Sequence, residues 1–184
     1  GLMLAQARDE QAVKWFVASA RYSFQTVGRD RLPEGLRGAG GEGPPAAIWG
    51  ISEARYRRVA EPWPLNPEGE LLLGIKIEHK DVVQHAGVLA GVPGIGLAEW
   101  GPADMVMSMG LPGEVDPPYA PEAQYAMETV RAALAAANVP FHCGWSDPSM
   151  SVEQQVDYLL DEIGARCLVV PAEEYALYGR RRGP

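Results

Sequence analysis

Short apolar runs alternate with amphipathic stretches along most of the chain, and two of the runs end in acidic residues. Leu71-Leu72-Leu73-Gly74-Ile75-Lys76-Ile77 leads into Glu78, and Gly94-Ile95-Gly96-Leu97-Ala98-Glu99-Trp100 leads through Gly101-Pro102-Ala103 into Asp104. A stretch of helical character, from Asp81 to Ala90, separates them. Strand, acid, helix, strand, acid is the pattern of a parallel sheet with carboxylates at the C-terminal ends of its strands. In barrels of parallel strands that edge carries the chemistry.

The same periodicity predicts strands at Leu2–Ala5, Leu71–Ile77, Gly96–Trp100, Pro140–Trp145 and Cys167–Val170. It predicts a helix over Glu10–Arg21, capped by Asp9, with Ala12, Phe16, Ser19 and Ala20 on its inner stripe. Further helices are expected over Ala46–Val59, with Arg55, Arg57 and Arg58 on the wet face, and over Val82–Leu89 and Pro121–Asn138. Another is expected over Ser151–Gly164, where Ser151 caps and Gly164 stops it, and a last turn over Glu173–Tyr178. Residues 27–45 read as a long Gly/Pro/Arg loop, Glu61–Pro67 as a break before the next strand, and Met105–Pro118 as a Gly/Pro/Met loop. Five βα units in one α/β domain of 184 residues are too few for a complete eight-unit barrel, which needs about 250 residues. A doubly wound sheet or an incomplete barrel satisfies the pattern. No Gly-x-Gly-x-x-Gly opens a helix after a strand, which argues against dinucleotide binding.

Composition narrows this further. The chain is 47% hydrophobic and 22% charged, with net charge −8. That balance is ordinary for a soluble domain and unsuited to nucleic acid, whose phosphates call for a basic surface. The one basic cluster, Arg180-Arg181-Arg182 in the tail 179–184, reads as a frayed or docked terminus. Cys143 and Cys167 lie in apolar runs without metal-ligand spacing, so free thiols are expected. With no apolar run near the ~18 residues of a membrane span and no signal-peptide pattern, a cytoplasmic protein is expected. The chain opens in Gly1-Leu2-Met3-Leu4-Ala5, a strand already under way with no initiator Met, as in the later part of a longer protein.

Glu78 and Asp104 form the principal candidate site. Two carboxylates with positions left for water suit a hard divalent cation such as Mg2+ or Mn2+. Each also has a structural reading: Glu78 as an ion-paired strand end, Asp104 as a helix cap after Gly-Pro-Ala. Glu99 faces away from Trp100 and is expected in an ion pair. His79 reads as a helix-start residue, His85 as surface, His142 as a satisfied core histidine. His142 and Cys143, adjacent on a strand, point to opposite faces and cannot form a catalytic pair. Trp100 and Trp145 end neighbouring strands, where they wall a pocket or pack in the core. Arg37, beside Gly38–Gly41, is placed to reach a carboxylate or to pin the loop.

These residues carry a family resemblance. Gly-Ile-Lys-Ile-Glu78 followed by Val-Pro-Gly-Ile-Gly-Leu-Ala-Glu-Trp-Gly-Pro-Ala-Asp104 resembles the HpcH/HpaI aldolase (citrate lyase-like) family, with its Gln-Ile-Glu-Thr strand and Gly-Pro-x-Asp-Leu-Ser strand end. Ala20-Arg21-Tyr22-Ser23-Phe24 and Leu36-Arg37-Gly38-Ala39-Gly40 are similar to its Arg-Tyr-Pro-Pro and Arg-Gly-Val-Gly segment. The resemblance implies a (β/α)8 TIM barrel of which this chain supplies about strands four to eight. It implies Glu78 and Asp104 as ligands of Mg2+, Mn2+ or Co2+, and a 2-oxo acid such as pyruvate held for reversible aldol chemistry through its enolate. The substrate side would be formed by Gly101, Pro102, Ala103 and Asp104, whose amides would receive the substrate carboxylate, with Lys76 and Trp100 beside them.

Three departures qualify it. The family's Gln is Lys76 here, placed to compete with the cation or to pair with a substrate carboxylate. Its Leu-Ser is Met105-Val106, with Ser108 beyond. Its general-base His and substrate-binding Arg lie on earlier strands, so no catalytic base is assigned in this chain. The expectation is a metal-dependent class II aldolase acting on a 2-oxo acid and an aldehyde, as a homo-oligomer. The alternatives are a non-catalytic partial barrel that binds an oxo acid or serves as an assembly subunit, and an acyl-CoA lyase of the citramalyl or malyl type.

Overall fold

The computed structural model describes residues 1–111, 113, 115, 118–144, 147, 149–170 and 172–183. Strands β1 (Leu2–Leu4), β2 (Pro62–Trp63), β3 (Leu71–Ile77), β4 (Leu97–Trp100), β5 (Phe141–Gly144) and β6 (Cys167–Val169) form one sheet. The strand order is β1-β3-β4-β5-β6, with the two residues of β2 pairing at the start of β3, and every pairing is parallel. Parallel neighbours joined through helices make an arc of a βα barrel, as the alternation of elements requires.

The strands present two different faces. Leu73, Ile75, Ile77, Ala98, Trp100, Phe141 and Cys143 are buried in the main core with helix residues such as Val13, Val17, Leu89, Met105, Val130 and Leu134. Each fully buried aliphatic side chain there contributes about 1.5–3 kcal/mol. The opposite face, one residue out of phase, carries rows set by register. One row is Met3, Gly74 and Leu97; the next is Lys76, Glu99, His142 and Cys167. The chemistry discussed below lies on this second face.

Several elements depart from the sequence expectation. Helix α1 is Glu10–Ser19, capped by the Asp9 side chain as expected; of its expected stripe Ala20 is buried and Phe16 packs against the core, but Ala12 and Ser19 are exposed and Val13, Val17 and Ala18 are buried instead. The expected helix Ala46–Val59 is two: α2 (Gly43–Trp49) ends on left-handed Gly50 (φ 67°), and α3 (Glu53–Val59) starts at a Ser52 cap. Gly tolerates that φ without a Cβ penalty, so the chain turns there. The expected helix Val82–Leu89 is a 3₁₀ segment, Lys80–His85, running into α4 (Ala86–Ala90). The beginning of the expected Met105–Pro118 loop, as far as Met109, belongs to helix α5 (Pro102–Met109), with Pro in its first turn and left-handed Gly110 (φ 82°) as its stop. Helix α6 (Pro121–Ala136) matches expectation. Helix α7 (Val152–Asp157) begins with a Ser151/Gln154 capping box and continues into a π-helical turn, Tyr158–Glu162. The basic tail is ordered as the end of α8 (Glu173–Arg182), where Arg182 Nε lies 3.0 Å from Asp157 Oδ1.

The long loop is held by specific contacts. Arg21 is fully buried against fully buried Glu61, which immediately precedes β2 and whose carbonyl accepts the Leu71 N–H at the start of β3, the end of that strand remote from Glu78. The Arg37 guanidinium lies 4.5 Å from the Tyr22 ring centroid and 5.1 Å from that of Tyr56, and donates to the Tyr56 hydroxyl at 2.7 Å. Arg37 therefore pins the loop through aromatic faces. No helix among the described residues is long and apolar enough to cross a membrane.

Candidate metal and oxo-acid site

Strand β3 delivers Glu78 one residue beyond its end, and β4 delivers Gly101 into the first turn of α5, which carries Asp104. Glu78 is 3% exposed, whereas Asp104 is exposed. The Gln6 backbone N–H donates to Glu78 Oε1 at 2.6 Å. Gln6 adopts a left-handed φ of 51°, sparsely populated for a residue with a side chain, at the position from which its amide meets Glu78. Gly101 leaves the carboxylate room: a Cβ there would stand 2.6 Å from Glu78 Oε2 and 2.7 Å from Glu78 Cβ.

Burial pushes the Glu78 carboxyl above its usual range, opposed by the Gln6 amide and Lys76 and reinforced by the charge of Asp104 and a hydrogen bond to it. Glu78 and Asp104 therefore lie close enough for the charge of one to act on the other. Two neighbouring carboxylates suit a divalent cation, since Mg2+ is bound by one or two carboxylates with water and substrate oxygens completing its shell. The donor set fits such an ion. Among the described residues no cluster of three or more His, Cys, Asp and Glu side chains is available to hold a metal. The N–H groups of Ala103 and Asp104 fall in the first turn of α5, where they have no intrahelical acceptor.

Next to this pair lies a polar row that sequence reading saw only in part. Lys76 Nζ is 2.8 Å from Glu99 Oε1, and His142 Nδ1 is 3.0 Å from Glu99 Oε2. Burial pushes the Glu99 carboxyl up, but the hydrogen bonds with His142 and Lys76 outweigh it and hold it below its usual range. The hydrogen bond to Glu99 holds the Lys76 ammonium above its usual range against burial, and the charges of Glu78 and Asp104 add to the rise. Lys76 thus stands between two acidic groups. Glu99 is in an ion pair with Lys76, as expected, and His142 lies beside it on the polar face instead of in the apolar core. Strand register alone brings these three together, and no short motif contains them.

The remaining candidates are dispersed. Trp100 is fully buried among the core side chains of the helix-covered face, its ring centroid 6.3 Å from that of Tyr119. Trp145 lies outside the described residues. His79 starts the 3₁₀ segment and accepts the Asp81 N–H at 3.3 Å, and His85 is exposed. Ser108 accepts the Lys80 N–H at 2.9 Å, tying the Glu78 loop to α5. Both cysteines are free thiols; burial pushes that of Cys143 up to about 11. Gln6 and Gly101 are what sequence reading missed or undervalued in function: Gln6 carries no local signal, while Gly101 before Pro102 marked a close approach.

The fold these strands and carboxylates define is that of the HpcH/HpaI aldolase and citrate lyase structures, so the resemblance read in the sequence holds at the level of fold. An HpcH/HpaI aldolase/citrate lyase family protein from Burkholderia cenocepacia J2315 superposes with a TM-score of 0.70 at 23% identity, over 98% of this chain and 62% of that one. The HpcH/HpaI aldolase from Desulfitobacterium hafniense DCB-2 gives 0.66 at 18% identity, over 98% and 60%. The citrate lyase β subunit of M. tuberculosis, complexed with oxaloacetate and magnesium, gives 0.51 at 13% identity, over 62% and 54%. The chain thus spans less than two-thirds of the length of these structures. No protein-family profile and no curated protein matches the sequence.

Proposed function

We propose that this chain carries the metal-binding part of a carbon–carbon lyase of the aldol type acting on a 2-oxo acid. The observation that supports it is the placement of Glu78 and Asp104 together at the C-terminal ends of the parallel strands β3 and β4, in a fold shared with aldolases and with a lyase subunit that holds oxaloacetate and magnesium. A divalent cation bound by these carboxylates would supply Lewis acidity to the oxygens of the oxo acid. Gln6 fixes one oxygen of Glu78, Gly101 admits the other towards Asp104, and the first turn of α5 offers N–H donors to a substrate carboxylate. No residue of the chain is assigned as the base.

Calorimetric titration of the 184-residue chain with Mn2+, with and without pyruvate, tests the reading. Binding is expected to tighten with pyruvate and to weaken at least about tenfold, or 1.4 kcal/mol, in Asp104→Ala. A folded chain that binds no Mn2+ in either condition overturns it. Metal binding with no response to any 2-oxo acid would favour a barrel part without the lyase role.

A further inference from the structure

A lysine beside a pair of metal-binding carboxylates is a competitor for the metal. Its ammonium carries the same sign of charge as the incoming cation and can reach the same oxygens. Here Lys76 precedes Glu78 by two residues on one face of β3, and the charges of both Glu78 and Asp104 act on it. Yet its Nζ is turned sideways, across to the next strand, 2.8 Å from Glu99. His142 Nδ1 lies 3.0 Å from the other Glu99 oxygen, Oε2. The three residues occupy equivalent positions on β3, β4 and β5. The register therefore fixes the direction in which the lysine points. The Glu99 side chain is 14% exposed, so its pairing is only partly screened by solvent.

We propose that Glu99 is a positioning residue that holds the Lys76 ammonium away from the Glu78/Asp104 pair and so keeps that pair open to a divalent cation. The proposal rests on the metal-site reading given above. Its consequence is a thermodynamic coupling. Removing the Glu99 charge releases Lys76 towards Glu78 and Asp104, where it takes the place the cation needs. Removing Lys76 removes the competitor, and Glu99 then has little left to do for metal binding.

A double-mutant cycle in Mn2+ affinity tests this by calorimetry on the intact chain, with folding followed by circular dichroism. Glu99→Gln is expected to weaken Mn2+ binding about tenfold. Lys76→Met is expected to bind Mn2+ at least as tightly as the wild type. The double variant should bind like Lys76→Met, because Glu99 acts through the lysine. An equal loss from Glu99→Gln in both backgrounds would mean that the field of Glu99 itself attracts the cation, and would overturn the proposal. Weaker binding in a folded Lys76→Met would also overturn it, whether or not Glu99→Gln folds. Absence of Mn2+ binding by the wild type would instead reject the metal site, separating the two failures.

Discussion

At the scale of single residues, the site depends on one missing methyl group and one amide. Gly101 is the place where the backbone passes against Glu78, and a Cβ at 2.6–2.7 Å from its side chain must displace it. Gly101→Ala is expected to cost about 1–3 kcal/mol of stability through overpacking and to weaken Mn2+ binding by at least about tenfold. Denaturant unfolding and calorimetry measure the two effects, and wild-type metal affinity in this variant would show that Glu78 is not a ligand. Gln6 cannot be probed so directly, because its contribution is a backbone N–H. Its left-handed conformation keeps that donor at Glu78 Oε1.

At the scale of elements, the segment between β1 and β3 is longer and more firmly tied than its Gly/Pro composition implies. Besides the Arg37–Tyr22–Tyr56 stack, Glu42 joins it to α3: Arg57 Nε donates to Glu42 Oε1 at 3.0 Å, and the Gly40 N–H donates to Oε2 at 2.8 Å. The Arg57 hydrogen bond, with the Gly40 amide second, lowers the Glu42 carboxyl from 4.5 to about 2. A carboxyl lowered on folding stabilises the native state above its unfolded pKa and loses that stabilisation as pH falls through the folded value. The stability difference between wild type and Glu42→Gln should therefore be constant above pH 4.5 and shrink as pH falls towards about 2. Urea unfolding at a series of pH values measures it. A difference that persists unchanged to the acid end would show that the pair is not formed.

At the scale of the molecule, β1 and β6 are the edges of the sheet among the described residues. They carry exposed apolar side chains: Leu2 at 58%, Met3 at 37% and Val169 at 53%. Unpaired parallel edges with apolar side chains are association surfaces, so the 184-residue chain is expected to self-associate. Light scattering coupled to size exclusion checks this, and a clean monomer across the micromolar range would refute it.

Local pattern by itself determined the parallel α/β class, the strands β3 and β4 nearly to the residue, and the pair Glu78 and Asp104 at their ends. It could do so because alternation, Gly stops and acidic strand ends are written in consecutive residues. It also contains the break at Gly50-Ile51-Ser52, hidden within an apolar stretch that suggests one continuous helix, and the helix start at Gly101-Pro102, whose continuation through Met105–Met109 the Gly and Pro residues that follow disguise as loop. In α1 Phe16 and Ala20 of the expected stripe do reach the core, while Ala12 gives way to Val13, since both fit a helical repeat and only packing against the sheet chooses between them. What tertiary structure alone decided is the row Lys76–Glu99–His142, the amide of Gln6 at Glu78, and the burial of Trp100 on the face away from the site. Each depends on which strand lies beside which and in what register. That is settled by the packing of the whole sheet, where residues distant along the chain become neighbours and their charges and volumes act on one another.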